Sequence, residues 1–307
     1  MHFLIDNGSA QADEQGAGVR LMQTDGPLVR AGLIGSSIQS SRTPWMQTAE
    51  GAAQGVNYHY ELFDLDLIPG GRSALPSLLD DVEASGYVGV NVTHPCKQQV
   101  IELLTELSPE AAAIGAVNTV IFKGGQRVGH NTDWSGYAEA FRRGLPGAAL
   151  DRVVLLGAGG AGAAVAFALL ELGARRIQVL DVKPKRAMAL ARSLSAHVGP
   201  GRLEATTDLA RAMAEGDGLV HATPTGMEKY SGVALDPALI SPRHWVSEIV
   251  YVPLETELVQ VARAKGCRVA DGSGMAVFQA VHAFELFTGL KPDIDRMYSH
   301  FNQFEPA

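Results

Sequence analysis

The stretch VVLLGAGGAGAAVAFALLELG, residues 153–173, decides the fold. A β-branched, apolar run ends on Gly157, three more glycines follow (Gly159, Gly160, Gly162), and a row of small residues continues at helical density. This reads as a buried strand, a tight turn and a helix. In such a turn Gly157 permits the reversal, Gly159 lets the backbone approach a pyrophosphate and Gly162 lets the helix lie close on the sheet, while free N–H groups of the turn (157–162, with Ala158 and Ala161) receive phosphate. A glycine-rich structural turn is the plain alternative, but the flanks and the next strand speak for a dinucleotide. The next strand, in RIQVLDV, ends at Asp181, nineteen residues beyond Gly162, where a carboxylate accepts hydrogen bonds from an adenosine ribose and repels a 2′-phosphate. NAD is therefore expected, with NADP the weaker expectation. Lys183, Lys185 and Arg186 follow and could hold a phosphate, although solvated charges at a helix start are the simpler reading.

Outward from this turn, strands and helices alternate. Downstream, PKRAMALARSLSAHV reads as a helix, GLVHATP and HWVSEIVY as strands, and GSGMAVFQAVHAFELFTG as the helix that closes the regular structure. Upstream, LVRAGLIG, YHYELFDLD and YVGVNV read as strands, with helices at TPWMQTAEGAAQG and SALPSLLDDVEASG. A further helix is expected over about 95–107, and strand-like runs at GAVNTVIF and RVGH. Alternation at this spacing implies parallel βαβ units. The expected architecture is α/β. A discontinuous substrate domain (28–134 with 272–307) joins a doubly wound Rossmann-type domain (135–271), and residues 1–27 form an extension without clear period. The crossing between halves is expected around 131–147.

Bulk properties narrow the class. The chain has 307 residues, 46% hydrophobic and 19% charged, with a formal charge of −8. That balance does not suggest a nucleic-acid partner. No apolar run reaches the roughly 18 residues of a membrane span, and MHFLIDNGSAQADEQG lacks the basic start and long apolar core of a secretory signal. Cys96 and Cys267 show no paired spacing, so neither a disulfide framework nor a zinc site is expected, and a reducing cytoplasm is the default compartment. His94, His130, His221 and His282 are scattered, and no metal is expected.

Four polar clusters fall at ends of expected strands, the edge where open α/β sheets bind ligands. They are SRTP (Ser41–Pro44), NVTHPCK (Asn91–Lys97), AVNT (Ala116–Thr119) and HNTDWSG (His130–Gly136). Together they supply hydroxyls, carboxamides, an ammonium and a carboxylate, an inventory suited to a small polyol acid. Each alone is more often a turn or cap, and Asp133 is well placed as the N-cap of WSGYAEAFRRG. Lys97 would sit in the first turn of the 95–107 helix, where the dipole opposes an ammonium by roughly 0.3–1 kcal/mol. Cys96 beside it could be a helix-activated thiol, or buried filler.

The order SRTP, NVTHPCK, GAVNT, HNTDWSGY, GAGGAGAA, ATPTGM, DGSGMAVFQAVHAF resembles the shikimate dehydrogenase family over nearly all of 28–290. The resemblance implies reversible nicotinamide-dependent oxidation of a ring hydroxyl on shikimate, quinate or a relative. By the same resemblance, Lys97 and Asp133 are the catalytic pair, and Ser41 and Thr43 hold the substrate carboxylate. It also implies that Thr93, Asn118 and Gln279 meet ring hydroxyls, and that Thr223–Met227, Gly274 and Met275 face the nicotinamide. Asn131 and Thr132 share the motif of Asp133. The common biosynthetic form has serine at Thr43, histidine at Gln47 and an Asn-Arg-Thr NADP site in place of LDVKPK. SRTP with Asp181 is instead similar to the NAD-using catabolic quinate/shikimate type. An aminoshikimate-type paralogue, a dehydrogenase of other substrates and a non-catalytic metabolite sensor are the rival readings. For assembly, a homodimer stands beside the monomer.

Overall fold

Two six-stranded sheets, each flanked by helices, organise the chain in a computed structural model that describes residues 26–303. The first sheet is built from β1 (Leu28–Gly35), β2 (Asn57–Asp64), β3 (Gly89–Val92), β4 (Glu106–Leu107), β5 (Thr119–Lys123) and β6 (Gln126–His130). Helices α1 (Thr43–Ala53), α2 (Leu75–Ala84) and α3 (Pro109–Ile114) accompany it, and α4 (Thr132–Gly144) leads out of it. Of the expected extension 1–27, all but Gly26 and Pro27 lies outside the described residues; Pro27 accepts a hydrogen bond from Asn57 N.

Strand order in this sheet is β2-β1-β3-β5-β6-β4. β1 pairs parallel with β2 and β3, as alternation implies, but β5 and β6 are antiparallel. The cause is Gly124-Gly125, both at positive φ, which form the two-residue turn that suits a right-twisted hairpin. The first half is thus mixed rather than uniformly parallel.

The expected helix over 95–107 does not form. Residues 94–98 turn, Gln99–Leu103 make a short 3₁₀ helix, and the chain then pairs as β4 with β6. Thr105 N and Ser108 N bond to Arg127 O and Gly129 O, so strand pairing takes the residues a longer helix would need. Lys97 therefore does not lie in the first turn of an α-helix of its own.

The second sheet contains β7 (Arg152–Leu156), β8 (Arg176–Leu180), β9 (Leu203–Ala205), β10 (Gly218–His221), β11 (Trp245–Glu248) and β12 (Arg268–Ala270). All its pairs are parallel, in the order β12-β11-β10-β7-β8-β9. Helices α5 (Gly160–Glu171), α6 (Pro184–Val198), α7 (Leu209–Glu215) and α8 (Glu257–Ala264) connect them. This is the doubly wound arrangement, with its switch point between β7 and β10. Nine residues of α5, from Gly162 to Leu170, are buried, which explains its small-residue composition.

Helix α9 (Ser273–Thr288) returns to the first half and packs on α4, β1 and β5. Gly136 makes the α4–α9 approach possible, because a Cβ there would stand 2.6 Å from Gln279 N. Regular structure continues beyond α9, contrary to expectation, as α10 (Ile294–Gln303). Met297 and Phe301, wholly buried, anchor it against α1 and α9.

Candidate active site

Lys97 and Asp133 meet across the end of the first sheet, Nζ to Oδ2 at 2.6 Å, with the lysine side chain 18% and the aspartate 6% exposed. The turn after β3 sets the lysine: Thr93 N bonds to Ile34 O, Cys96 N to Thr93 O, and Val117 N to Lys97 O. Asp133 is the second residue of α4, where the dipole favours a carboxylate. It is not the N-cap. Asn131 is, accepting from Asp133 N and Trp134 N and anchored by Nδ2 on Ala116 O. This leaves the Asp133 carboxylate free for side chains.

Its second oxygen accepts from Asn118 Nδ2 at 2.9 Å. Asn118 also donates to Thr132 Oγ1 and accepts from Thr132 N and Thr119 Oγ1. The chain of bonds continues inward, Asn91 Nδ2 to Thr119 Oγ1 and Tyr60 OH to Asn91 Oδ1. The carboxylate therefore stands at the end of a buried polar network from Tyr60. Such a network holds its members rigidly when every group is satisfied.

Ser41, on the loop entering α1, and Thr43, the first residue of α1, are buried and joined to each other, Thr43 N to Ser41 Oγ at 3.3 Å. Arg42 between them donates to Phe301 O and lies over the Phe301 ring, tying this loop to α10. Thr93 is partly buried, with Cγ2 against Gly35. Gln279, partly buried on α9, donates to Ala276 O and has its backbone against Gly136, one turn from Asp133. Gln47 is fully buried; Nε2 donates to Ala280 O, and Oε1 has no protein partner.

The glycine turn abuts this pair. A Cβ on Gly160 would sit 3.6 Å from both Cβ and Cδ of Lys97. Gly157, at φ +104, lies so near the end of β10 that a Cβ would come 2.4 Å from Ala222 O, and one on Gly162 would come 2.1 Å from Gly157 O. A Cβ on Gly159 would meet nothing, which leaves open space over the start of α5. Asp181 is fixed at the rim by Ala158 N (2.9 Å) and Lys183 N (2.8 Å). Open backbone at a helix start, with a carboxylate one strand away, fits a dinucleotide.

Residues 33–120 match the family description "Shikimate dehydrogenase substrate binding domain", and 272–300 match "Shikimate 5'-dehydrogenase C-terminal domain". Shikimate dehydrogenase (NADP(+)) of Streptomyces avermitilis is 54% identical over 87% of this chain and 92% of that protein. The chain belongs to the shikimate dehydrogenase family. Quinate/shikimate dehydrogenase (NAD(+)) of Corynebacterium efficiens is 46% identical over 88% of this chain and 96% of that protein. In three dimensions the chain is similar to quinate dehydrogenase from Corynebacterium glutamicum in complex with NAD, with a TM-score of 0.86 and 44% identity over 91% of this chain and all of that one.

In this member of the shikimate dehydrogenase family, other expected positions fall as follows. Thr223 follows β10 and touches the glycine turn through Cγ2. Gly274 is turned toward α4, since a Cβ would stand 2.7 Å from Ala140 Cβ, and Met275 is packed in the core with α4 and α5 residues. Cys96 is wholly buried under the first sheet, and burial pushes its thiol up, which makes it packing rather than a nucleophile. His282 shares a hydrogen bond with Ser135, while His94 is exposed.

Sequence reasoning missed Tyr251. It follows β11, approaches the Phe301 ring at 6.1 Å, and burial pushes its phenol up, with Arg42 lowering and Asp133 raising it. A tyrosine at the carboxyl end of a parallel strand, on the ligand edge, was the available signal.

Proposed function

We propose that the chain is an NAD-dependent quinate/shikimate dehydrogenase that reversibly oxidises a ring hydroxyl of shikimate or quinate to the 3-dehydro acid. The observation that carries this reading is the Lys97–Asp133 pair beside Gly160 of the dinucleotide turn. NAD, when bound, accepts the hydride. Lys97 Nζ takes the hydroxyl proton during oxidation and returns it during reduction, help worth about 10²–10⁴-fold. Asp133, braced by Asn118, orients Nζ and balances its charge. Ser41 and Thr43 hold the substrate carboxylate, and Thr93, Asn118 and Gln279 face ring hydroxyls, Asn118 by exchanging one of its present bonds.

Asp181 supports NAD over NADP. Its carboxylate is held in place by two backbone N–H groups, so a 2′-phosphate would meet a fixed negative charge. Relatives named for either dinucleotide stand at similar identity, so this residue, rather than overall likeness, carries the choice. The division into a substrate domain of 28–134 with 272–307 and a dinucleotide domain of 135–271 is supported, over the described residues, by the return of α9 to the first sheet. Two free, buried cysteines suit a reducing cytoplasm.

Initial rates of NAD and NADP reduction with quinate, shikimate and simple secondary alcohols test the reading. Turnover of a ring acid with NAD is expected. Turnover of neither ring acid overturns it.

A further inference from the structure

Thr223 stands at the switch point of the second sheet, between β10 and β7, and touches Gly157 of the dinucleotide turn. Behind it lies a group of buried polar side chains that the proposed reaction leaves unused. His221 and Glu248 end β10 and β11 in register, each 1% exposed. His221 Nδ1 lies 2.9 and 3.0 Å from the two Glu248 oxygens, and Nε2 lies 2.5 Å from Thr223 Oγ1. Glu248 also accepts from Ile249 N, Val250 N and Thr256 Oγ1, so it is held from four sides. A carboxylate, imidazole and hydroxyl therefore stand in line, the last at the dinucleotide cleft.

Thr223 Oγ1 also accepts from Thr225 N at 3.2 Å. A hydroxyl has one donor and two acceptor sites, so with His221 Nε2 and Thr225 N on it one hydrogen-bonding site of Oγ1 is left for a ligand, and its direction in space is set by those two partners.

We propose that His221 is a positioning residue for the nicotinamide riboside half of the cofactor, acting by fixing the orientation of the one Thr223 Oγ1 site left for a ligand. The groups of that half able to bond to it are the carboxamide and the ribose hydroxyls. This rests on the dinucleotide reading of the cleft and adds to it the residue that orients the group next to the ring.

Calorimetric titration of NAD and of ADP, which lacks the nicotinamide riboside, tests it on the full chain. Thr223→Val, which keeps the shape and removes the hydroxyl, should weaken NAD binding about five- to tenfold and leave ADP unchanged, and Thr223→Ser should restore NAD binding. His221→Leu should weaken NAD in the same selective way, and the double variant should bind NAD no worse than Thr223→Val alone. Equal losses for NAD and ADP, independent multiplicative losses in the double variant, or wild-type NAD affinity in Thr223→Val would each overturn the relay. If His221→Leu does not fold, His221→Gln takes its place in the same cycle with Thr223→Val, and independent multiplicative losses there overturn the relay equally. A wild-type protein that binds no NAD overturns the dinucleotide reading itself and the relay with it; normal wild-type binding with an unaffected Thr223→Val overturns only the relay.

Discussion

Asn118 Nδ2 donates to Asp133 Oδ1 at 2.9 Å, and on its other side the same carboxylate takes Lys97 Nζ at 2.6 Å. Asp133 is thus held between the amide of Asn118 and the amine of Lys97. The amide fixes where the carboxylate stands, and the carboxylate fixes where the lysine points. Because Asn131 caps α4, Asp133 loses nothing to the helix start and serves the lysine with one oxygen and the brace with the other.

Lys97→Ala removes the proton acceptor while leaving the glycine turn intact. We expect kcat to fall by about 10²–10⁴-fold. The dissociation constant for NAD, read by titration, should stay within about twofold, since the pair lies beside the turn rather than in it. Wild-type kcat in a folded Lys97→Ala protein would remove the lysine from the mechanism.

Asn118→Ala should act on the same step at one remove. A loosened Asp133 no longer holds Nζ in the reacting geometry, and kcat is expected to fall about 10–100-fold. Thr132 N and Asp133 Oδ1 also lose a buried partner, a cost of about 1–3 kcal/mol that urea unfolding should register. Loss of stability with full kcat would make Asn118 a folding residue only.

Asp181→Ala tests the cofactor choice. Removing the carboxylate deletes the ribose acceptor and the charge opposed to a 2′-phosphate, while exposed Lys183, Lys185 and Arg186 remain nearby. The ratio of kcat/KM for NAD over NADP should fall by about 10–100-fold, the worth of a hydrogen bond to a charged group. An unchanged ratio would place the selecting residue elsewhere.

Cys96 is expected to be inert. A thiol buried in a core and pushed up by that burial offers little thiolate to an alkylating agent. Native protein should retain activity under iodoacetamide, and Cys96→Ala should keep wild-type kcat with about 1 kcal/mol less stability. Inactivation that tracks alkylation of Cys96 would reverse this.

Local rules account for what was legible in the sequence. The turn at Gly157–Gly162 is specified by close approaches that any side chain would block, so its residues announce it. Lys97 and Asp133 were readable as candidates, but their surroundings were not. The helix expected through Lys97 yields to pairing between Thr105–Ser108 and β6, a tertiary competition invisible in residues 95–107 alone. Asn131 and Asp133 are both good caps, and only Ala116 O, brought from another strand, settles that Asn131 takes the role. The Gly124-Gly125 hairpin and the Met297–Phe301 face of α10 carried ordinary signals that strand-helix alternation masked.

The most consequential contact outside the site joins α10 to α1. Glu50, with no exposed surface, accepts Arg296 Nε at 2.6 Å and Nη2 at 2.8 Å, with Asp293 N and Gln54 Nε2 as further donors. Burial pushes the Glu50 carboxyl up, but these hydrogen bonds and the guanidinium charge outweigh it and hold the group below its ordinary value. A carboxyl lowered by folding binds fewer protons native than unfolded, so its stabilisation is present above the unfolded pKa of about 4.3 and is lost as pH falls through the lowered native value. Arg296→Met leaves a buried carboxylate without its cation, a loss of about 3–5 kcal/mol for a buried pair and nearer the low end here, because the guanidinium is one-third exposed. Burial then dominates and the native carboxyl rises, so the variant gains a proton on folding and its deficit shrinks with acid. Urea unfolding of both proteins at about pH 7 and about pH 4.5 should show the larger difference at the higher pH. A deficit independent of pH would mean that α10 is held by Met297 and Phe301 and that the ion pair adds little.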